Sequence, residues 1–419
     1  MIKLNALSLI FVAVYLFQFL FSLWLERLNR DHLQHSANEV PTPFRGFIDQ
    51  ETLARINAYS VDKSRFSSLR KTTMDLTLLV IIITALLPMA DSYSVNPEIH
   101  YIWAGLIFFV SVGIVLFIME LPFDYYDTFI IEEKYGFNKS DLKTWAADNL
   151  KSELLSIIFL ICVMAPLLWT IQLSPNYWWL WSFIIVAVIQ FAVVVIYPVL
   201  IAPLFNKFEP LEDLDLVHEV ETLVKSVGMK NGGIFKMDAG TRSTHSNAYF
   251  TGFGKTKRIV LFDTLIERHS HNEILAVLAH ELGHFRLKHV LKFFAAAQFA
   301  MLVGLYGTHL ILNWELLYWT FQLQPSQSYI ALFLISIFWL KSGFFIKPFY
   351  AGWSRRFEKQ ADSFAVRVQQ NPQPLALALK KMGAHNLSNL TPHPFYAWFY
   401  YSHPPLPERV ALLEDQVYR

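Results

Sequence analysis

His280, Glu281 and His284 stand in the stretch Ala279-His-Glu-Leu-Gly-His284, the pattern H-E-x-x-H. On a helix, residues four apart fall on nearly the same face, one turn from each other. Two imidazoles so placed can hold one zinc ion from the same side. A carboxylate next to the first can reach a water on that ion. This is the chemistry of a zinc hydrolase with Glu281 as general base. Three fixed positions also arise by chance, so the remaining parts must be found elsewhere in the chain.

A catalytic zinc site needs three protein ligands and one open position. Glu358 and Asp362 lie four apart in Ser354-Arg-Arg-Phe-Glu-Lys-Gln-Ala-Asp362 and share a helix face. Glu358 suits the third ligand. Asp362 suits an outer role, accepting the free N–H of a zinc-bound histidine. The expected cofactor is one zinc ion per chain, which activates water near neutral pH. Glu281 would take the proton as that water attacks a peptide carbonyl, then pass it to the leaving nitrogen. The developing oxyanion needs a donor, and His403, in Tyr401-Ser-His-Pro-Pro405, is the candidate. An exposed strand beside the zinc helix often orients a peptide by backbone pairing. Asn247, Ala248 and Tyr249 are the candidate strand.

These residues must be positioned by a chain of unusual composition. Of 419 residues, 54% are hydrophobic and 16% charged, and mean hydropathy is +0.34. Ordinary soluble domains are less apolar and carry about 25% charge, so the chain reads as an integral membrane protein with the bilayer as partner. A net charge of +1 leaves no basic field for nucleic acid. The lone cysteine, Cys162, excludes a disulfide framework and a cysteine metal site. It reads as a small buried hydrophobe.

Seven apolar runs are near spanning length: 4–25, 72–89, 102–119, 154–173, 178–204, 290–312 and 329–350. The first is too long for a signal-peptide core and reads as a retained helix. The connections alternate in charge. Those after the first, third and fifth runs are basic, the fifth with eleven Lys and Arg, and those after the second, fourth and sixth have none. The positive-inside rule then places the N-terminus outside and His280–His284 toward the cytoplasm. A prokaryotic plasma membrane is expected, since no eukaryotic retrieval signal is present. Lys341, inside the seventh run, faces either an interior or the cytoplasmic interface.

The chain divides into an N-terminal membrane region, 1–205, with five spans, and a zinc metalloprotease region, 206–419, with two more. The fifth connection predicts a helix over 214–227 and strands over 234–237, 247–251 and 258–262, the last two joined through Gly252 and Gly254 as a hairpin. Ser270 and Glu273 form a capping-box pattern at the start of the zinc helix, which is expected to run unbroken into the sixth span. The fold class is an all-α membrane protein with a small cytoplasmic β element.

Further stretches complete the pattern. They are Pro122–Asp127 followed by Phe129-Ile-Ile-Glu-Glu-Lys-Tyr-Gly-Phe-Asn138, Tyr197-Pro-Val-Leu-Ile-Ala-Pro-Leu-Phe-Asn-Lys-Phe208, Ser246-Asn-Ala-Tyr-Phe250 and Arg258-Ile-Val-Leu-Phe-Asp-Thr264. With the zinc motif, Arg356-Phe-Glu-Lys-Gln-Ala-Asp362 and Tyr401-Ser-His-Pro-Pro405, the chain resembles the type I CAAX prenyl proteases, integral-membrane zinc endopeptidases of the gluzincin kind. The resemblance implies seven helices around a water-filled intramembrane chamber, with zinc near its cytoplasmic end. It implies removal of the last three residues after a prenylated cysteine. It also matches His403 to the oxyanion-side histidine, Asn247-Ala-Tyr249 to the substrate-pairing strand, and Asp362 to a residue sometimes assigned as proton donor.

Two substrate readings follow: prenylated or otherwise lipophilic C-terminal peptides, or a broader membrane quality-control protease. A transporter with structural zinc fits less well, because the spans hold few ionisable residues and Glu281 would have no task. A silent scaffold is disfavoured by the intact Glu281, Glu358 and His403.

Overall fold

The computed structural model describes residues 2–35, 39–83, 100–251 and 256–417. Long helices dominate: α1 (Ala6–His35), α2 (Gln50–Ile83), α3 (Tyr101–Tyr126), α4 (Leu142–Leu173) and α5 (Trp178–Ile196). Among the described residues, six helices are long and apolar enough to cross a membrane. They cover the predicted spans except 72–89, which begins in α2 and ends outside the described residues.

Cys162 overturns one expectation, since its side chain is exposed on α4. In a lipid-facing helix the apolar side chains point outward, so a small hydrophobe needs no protein around it. Lys341 is buried, pairing with Asp75 at 2.7 Å and lying 4.2 Å from the Tyr15 ring centre. It faces the protein interior rather than the membrane interface.

After the fifth span comes a compact soluble part. Strand β1 (Phe208–Pro210), helix α6 (Leu214–Ser226) and strands β2 (Lys230–Met237), β3 (Ala248–Thr251) and β4 (Thr256–Phe262) follow in order. The sheet order is β1-β2-β4-β3, with β2 and β4 parallel and β3 and β4 antiparallel. The β3–β4 pairing is as expected; Gly252 and Gly254 lie outside the described residues. β3 is an edge strand, so one side of its backbone is free to pair.

The short α7 (Asp263–Arg268) leads into α8 (His271–Arg286), the helix of the zinc motif. Leu278, Ala279 and Leu282 on it are fully buried in a core shared with Leu216 and Val220 of α6 and Ile259 and Leu261 of β4. This inner stripe anchors α8 and leaves His280, Glu281 and His284 on its other side. Ser270 is the N-cap, but its side chain makes no capping bond. Glu273 instead takes Lys381 at 2.8 Å, because it is buried and needs a charge partner more than a cap. The capping box is therefore not formed.

Nor does α8 run on into the next span. Leu287 N–H donates to the Gly283 carbonyl and Lys288 N–H to that of Phe285, and Lys288 takes a left-handed φ of 58°. That residue ends the helix as a C-terminal cap does, and α9 (His289–Leu312) starts on a new axis.

Three more helices complete the frame of the site. After α10 (Glu315–Phe321) and α11 (Ser328–Gly343), α12 (Lys347–Gln369) packs across α8. The crossing is close because position 283 is glycine. A Cβ there would lie 3.1 Å from Ala361 Cα and 3.3 Å from its carbonyl oxygen, both backbone atoms. Gly283→Ala is expected to destabilise the fold by about 1–3 kcal/mol and to loosen metal binding. Thermal unfolding and zinc titration of the purified variant check both; unchanged zinc affinity would contradict the link.

Candidate active site

The crossing of α8 and α12 brings the donor groups of three residues together. His280 Nε2 and His284 Nε2 are 3.2 Å apart. Glu358 places Oε2 3.4 Å from the first and Oε1 3.2 Å from the second. Ligands bound to zinc at about 2.0–2.1 Å in tetrahedral geometry stand about 3.3 Å from one another. Each of these separations has that size, one carboxylate oxygen facing each histidine. Glu358 Oε2 is buried and has no hydrogen-bond partner among the described residues, so a cation there would satisfy an otherwise orphaned atom. His280, His284 and Glu358 can hold one zinc ion.

His280 turns its other nitrogen to Asp362, with Nδ1 2.7 Å from Oδ1. Asp362 is gripped in turn by Arg409, whose Nη2 and Nε donate to its two oxygens at 2.6 and 3.0 Å. Arg409 Nη1 also lies 3.7 Å from Glu358 Oε2. Burial works against charge on His280, but Asp362 and Glu358 outweigh it and raise the metal-free imidazole to about 9. A metal must displace that proton, so zinc uptake weakens as pH falls.

Glu281 is half-buried one position along, and burial pushes its carboxyl up, toward the range useful for a general base. His403 reaches in from the far side, with Nε2 3.4 Å from Glu358 Oε1. A cleft of about 230 Å³ runs past these groups, and Asn247, Glu281, His403 and Arg409 are among its lining residues. Asn247 sits just before β3, its side chain accepting from Ala248 N–H at 2.8 Å. Ala248 is buried and Tyr249 half-buried on the edge strand itself.

A CAAX prenyl protease N-terminal model with five membrane helices matches residues 29–207, and the model of peptidase family M48 matches 210–417. A CAAX prenyl protease 1 homolog of Oryza sativa subsp. japonica is 37% identical over 92% of this chain and 93% of its own. The chain belongs to peptidase family M48. CAAX prenyl protease 1 of Saccharomyces cerevisiae is 32% identical, with 92% and 90% covered. The crystal structure of S. mikatae Ste24p is similar at TM-score 0.88 and 30% identity, covering 98% of this chain and 99% of that one. This M48 protein is an integral, multi-pass membrane metalloendopeptidase. The relatives named are eukaryotic and lend nothing to the expectation of a prokaryotic membrane.

Of the nine residues expected at the site of this M48 enzyme, eight lie on α8, α12 or β3 or just before β3, and His403 lies on the short segment 401–405 between the last two helices. Sequence reasoning missed Arg409, His289, Gln360 and Arg355. Arg355 donates to the carbonyls of Ala397, Trp398 and Tyr401 at 3.3, 3.1 and 2.6 Å, closing the end of α14 (Pro394–Tyr400) just before His403. Only the position of Arg355 one turn before Glu358 pointed to it.

Proposed function

We propose that this membrane endopeptidase holds one zinc ion on His280, His284 and Glu358 and cleaves C-terminal peptide bonds of prenylated, CAAX-type or otherwise lipophilic peptides. The observation that carries the reading is the cluster of donor groups beside Glu281, set next to an open strand edge. The similarity to CAAX prenyl proteases supports the substrate class.

Zinc, when bound, would polarise the scissile carbonyl and make water a competent nucleophile near neutral pH. Glu281 takes the proton of the attacking water and returns it to the leaving nitrogen. Asp362, fixed by Arg409, holds the His280 ring and its tautomer, which is why an orienting role suits it better than proton donation. His403 donates toward the oxygen that gains negative charge. The substrate backbone lies along Asn247, Ala248 and Tyr249 as an added strand.

The alternation of basic and bare connections supports an N-terminus outside and a cytoplasmic site. A functional division near 205 is supported by the meeting of the two matched regions between 207 and 210.

Purified protein in detergent with a farnesylated C-terminal peptide tests the reading. Zinc-dependent release of the last three residues is expected, with the unprenylated peptide cut more slowly. Equal rates on both peptides would support the broader quality-control reading. No cleavage of either by zinc-loaded protein would overturn the proposal. His403→Ala is expected to lose about 10²-fold or more in kcat at unchanged zinc content. A variant of equal kcat would remove His403 from the mechanism.

A further inference from the structure

His280 has a carboxylate behind it, whereas His284 has another histidine. His289 Nδ1 lies 3.1 Å from His284 Nδ1, and His289 Nε2 lies 3.0 Å from Gln360 Oε1. The His289 ring is fully buried and lies flat on Phe357, centroids 4.0 Å apart and planes 2° apart. The break after α8 makes this possible. On one continuous helix, residues five apart point about 140° away from each other. The left-handed turn at Lys288 restarts the chain so that His289 folds back over His284. Holding a lysine in that conformation is unfavourable, so a compensating gain is expected where it leads.

The hydrogen-bonding capacity of each group fixes the protons. Gln360 Oε1 only accepts, so His289 Nε2 carries a hydrogen and a neutral His289 has a bare Nδ1. That nitrogen can only accept, so the hydrogen between the rings belongs to His284 Nδ1. His284 is then left with a lone pair on Nε2, the atom facing Glu358. The opposite arrangement would put a hydrogen on His284 Nε2 and block it as a ligand.

Resting on the zinc reading above, we propose that His289 and Gln360 form a neutral relay that sets the tautomer and orientation of His284. They are positioning residues for the metal. α12 thereby orients both zinc histidines: Asp362 directly, and Gln360 through His289. The relay carries no net charge, so it orients His284 without adding a fourth carboxylate to a site that already holds Glu281, Glu358 and Asp362.

The test is zinc affinity by competition with a chromophoric chelator, together with the visible spectrum of the cobalt(II)-substituted protein. His289→Phe keeps a ring on Phe357 and removes the acceptor. It is expected to weaken zinc binding by about 10–100-fold and alter the cobalt spectrum. Gln360→Leu, which leaves His289 in place, is expected to weaken binding in the same sense. Gln360→Glu can still accept from Nε2 and should bind zinc at least as tightly as wild type. A merely structural Gln360 would give the opposite ranking, since a half-buried carboxylate added near Glu281, Glu358 and Asp362 is the more disruptive change. Should His289→Phe not fold, the ranking of the two Gln360 variants decides. Zinc affinities of all folded variants equal to wild type would overturn the relay. Wild type that binds no zinc would instead overturn the reading beneath it.

Discussion

With Glu281 replaced by alanine, the protein is expected to bind about one zinc ion and to lose about 10²–10⁴-fold in cleavage rate. The two effects separate because the three donor atoms belong to His280, His284 and Glu358. Glu281 lies next to them in sequence, but its carboxylate is not one of that set. Its burial raises the affinity of the carboxyl for protons, which strengthens it as a base while it remains ionised. Glu281→Gln keeps the shape and hydrogen-bonding reach but cannot take a proton, so it should fail as badly as alanine. Zinc content and peptide cleavage are measured on the same preparations. Loss of zinc in either variant would make Glu281 a structural part of the metal site. Retained cleavage in Glu281→Gln would move the proton to another group.

What was legible in the sequence was local. His280, Glu281 and His284 lie within five residues, and Glu358 and Asp362 within another five, so one helical turn relates the members of each set. The membrane helices announced themselves by continuous apolar length, and the edge strand by its position near the motif. The break at Lys288 was hidden because lysine has no special tendency toward positive φ. Losing the break also lost His289, since on an unbroken helix it would face away from His284. Lys341 could be read as facing either the interior or the interface, because the partner that decides it, Asp75, lies 266 residues away. Cys162 failed for a different reason: burial rules drawn from water-soluble cores reverse where the surroundings are lipid. Arg409 carried no signal at all. Its helix α15 (Leu406–Val417) reads as a short amphipathic segment after a proline-rich turn, and a buried arginine has the same letter as an exposed one.

Arg409 nevertheless supports the second large effect. In the metal-free protein, Glu358 and Asp362 are buried within one cluster, with the His280 ring between them. The Arg409 guanidinium is the fixed positive charge there, and Asp362 raises its own proton affinity despite burial. Arg409→Leu keeps much of the volume but leaves the carboxylates unpaired. Breaking a buried pair from one side costs about 3–5 kcal/mol, and that loss is expected in the metal-free form. Bound zinc brings positive charge to the same cluster, so the metal-loaded variant should lie closer to wild type. The sign with pH follows from His280. Its metal-free value of about 9 exceeds the ordinary 6.5, so its proton contributes stability below pH 6.5 that is lost as pH rises through about 9. Arg409 opposes that proton, and without it the loss should move to higher pH. Arg409→Lys retains the charge without the two-pronged grip on Asp362 and should fall between the two. Unfolding midpoints with chelator and with added zinc, across pH 6 to 10, read all of this. An equal drop with and without zinc would show that Arg409 acts through packing and not through the charge of the site.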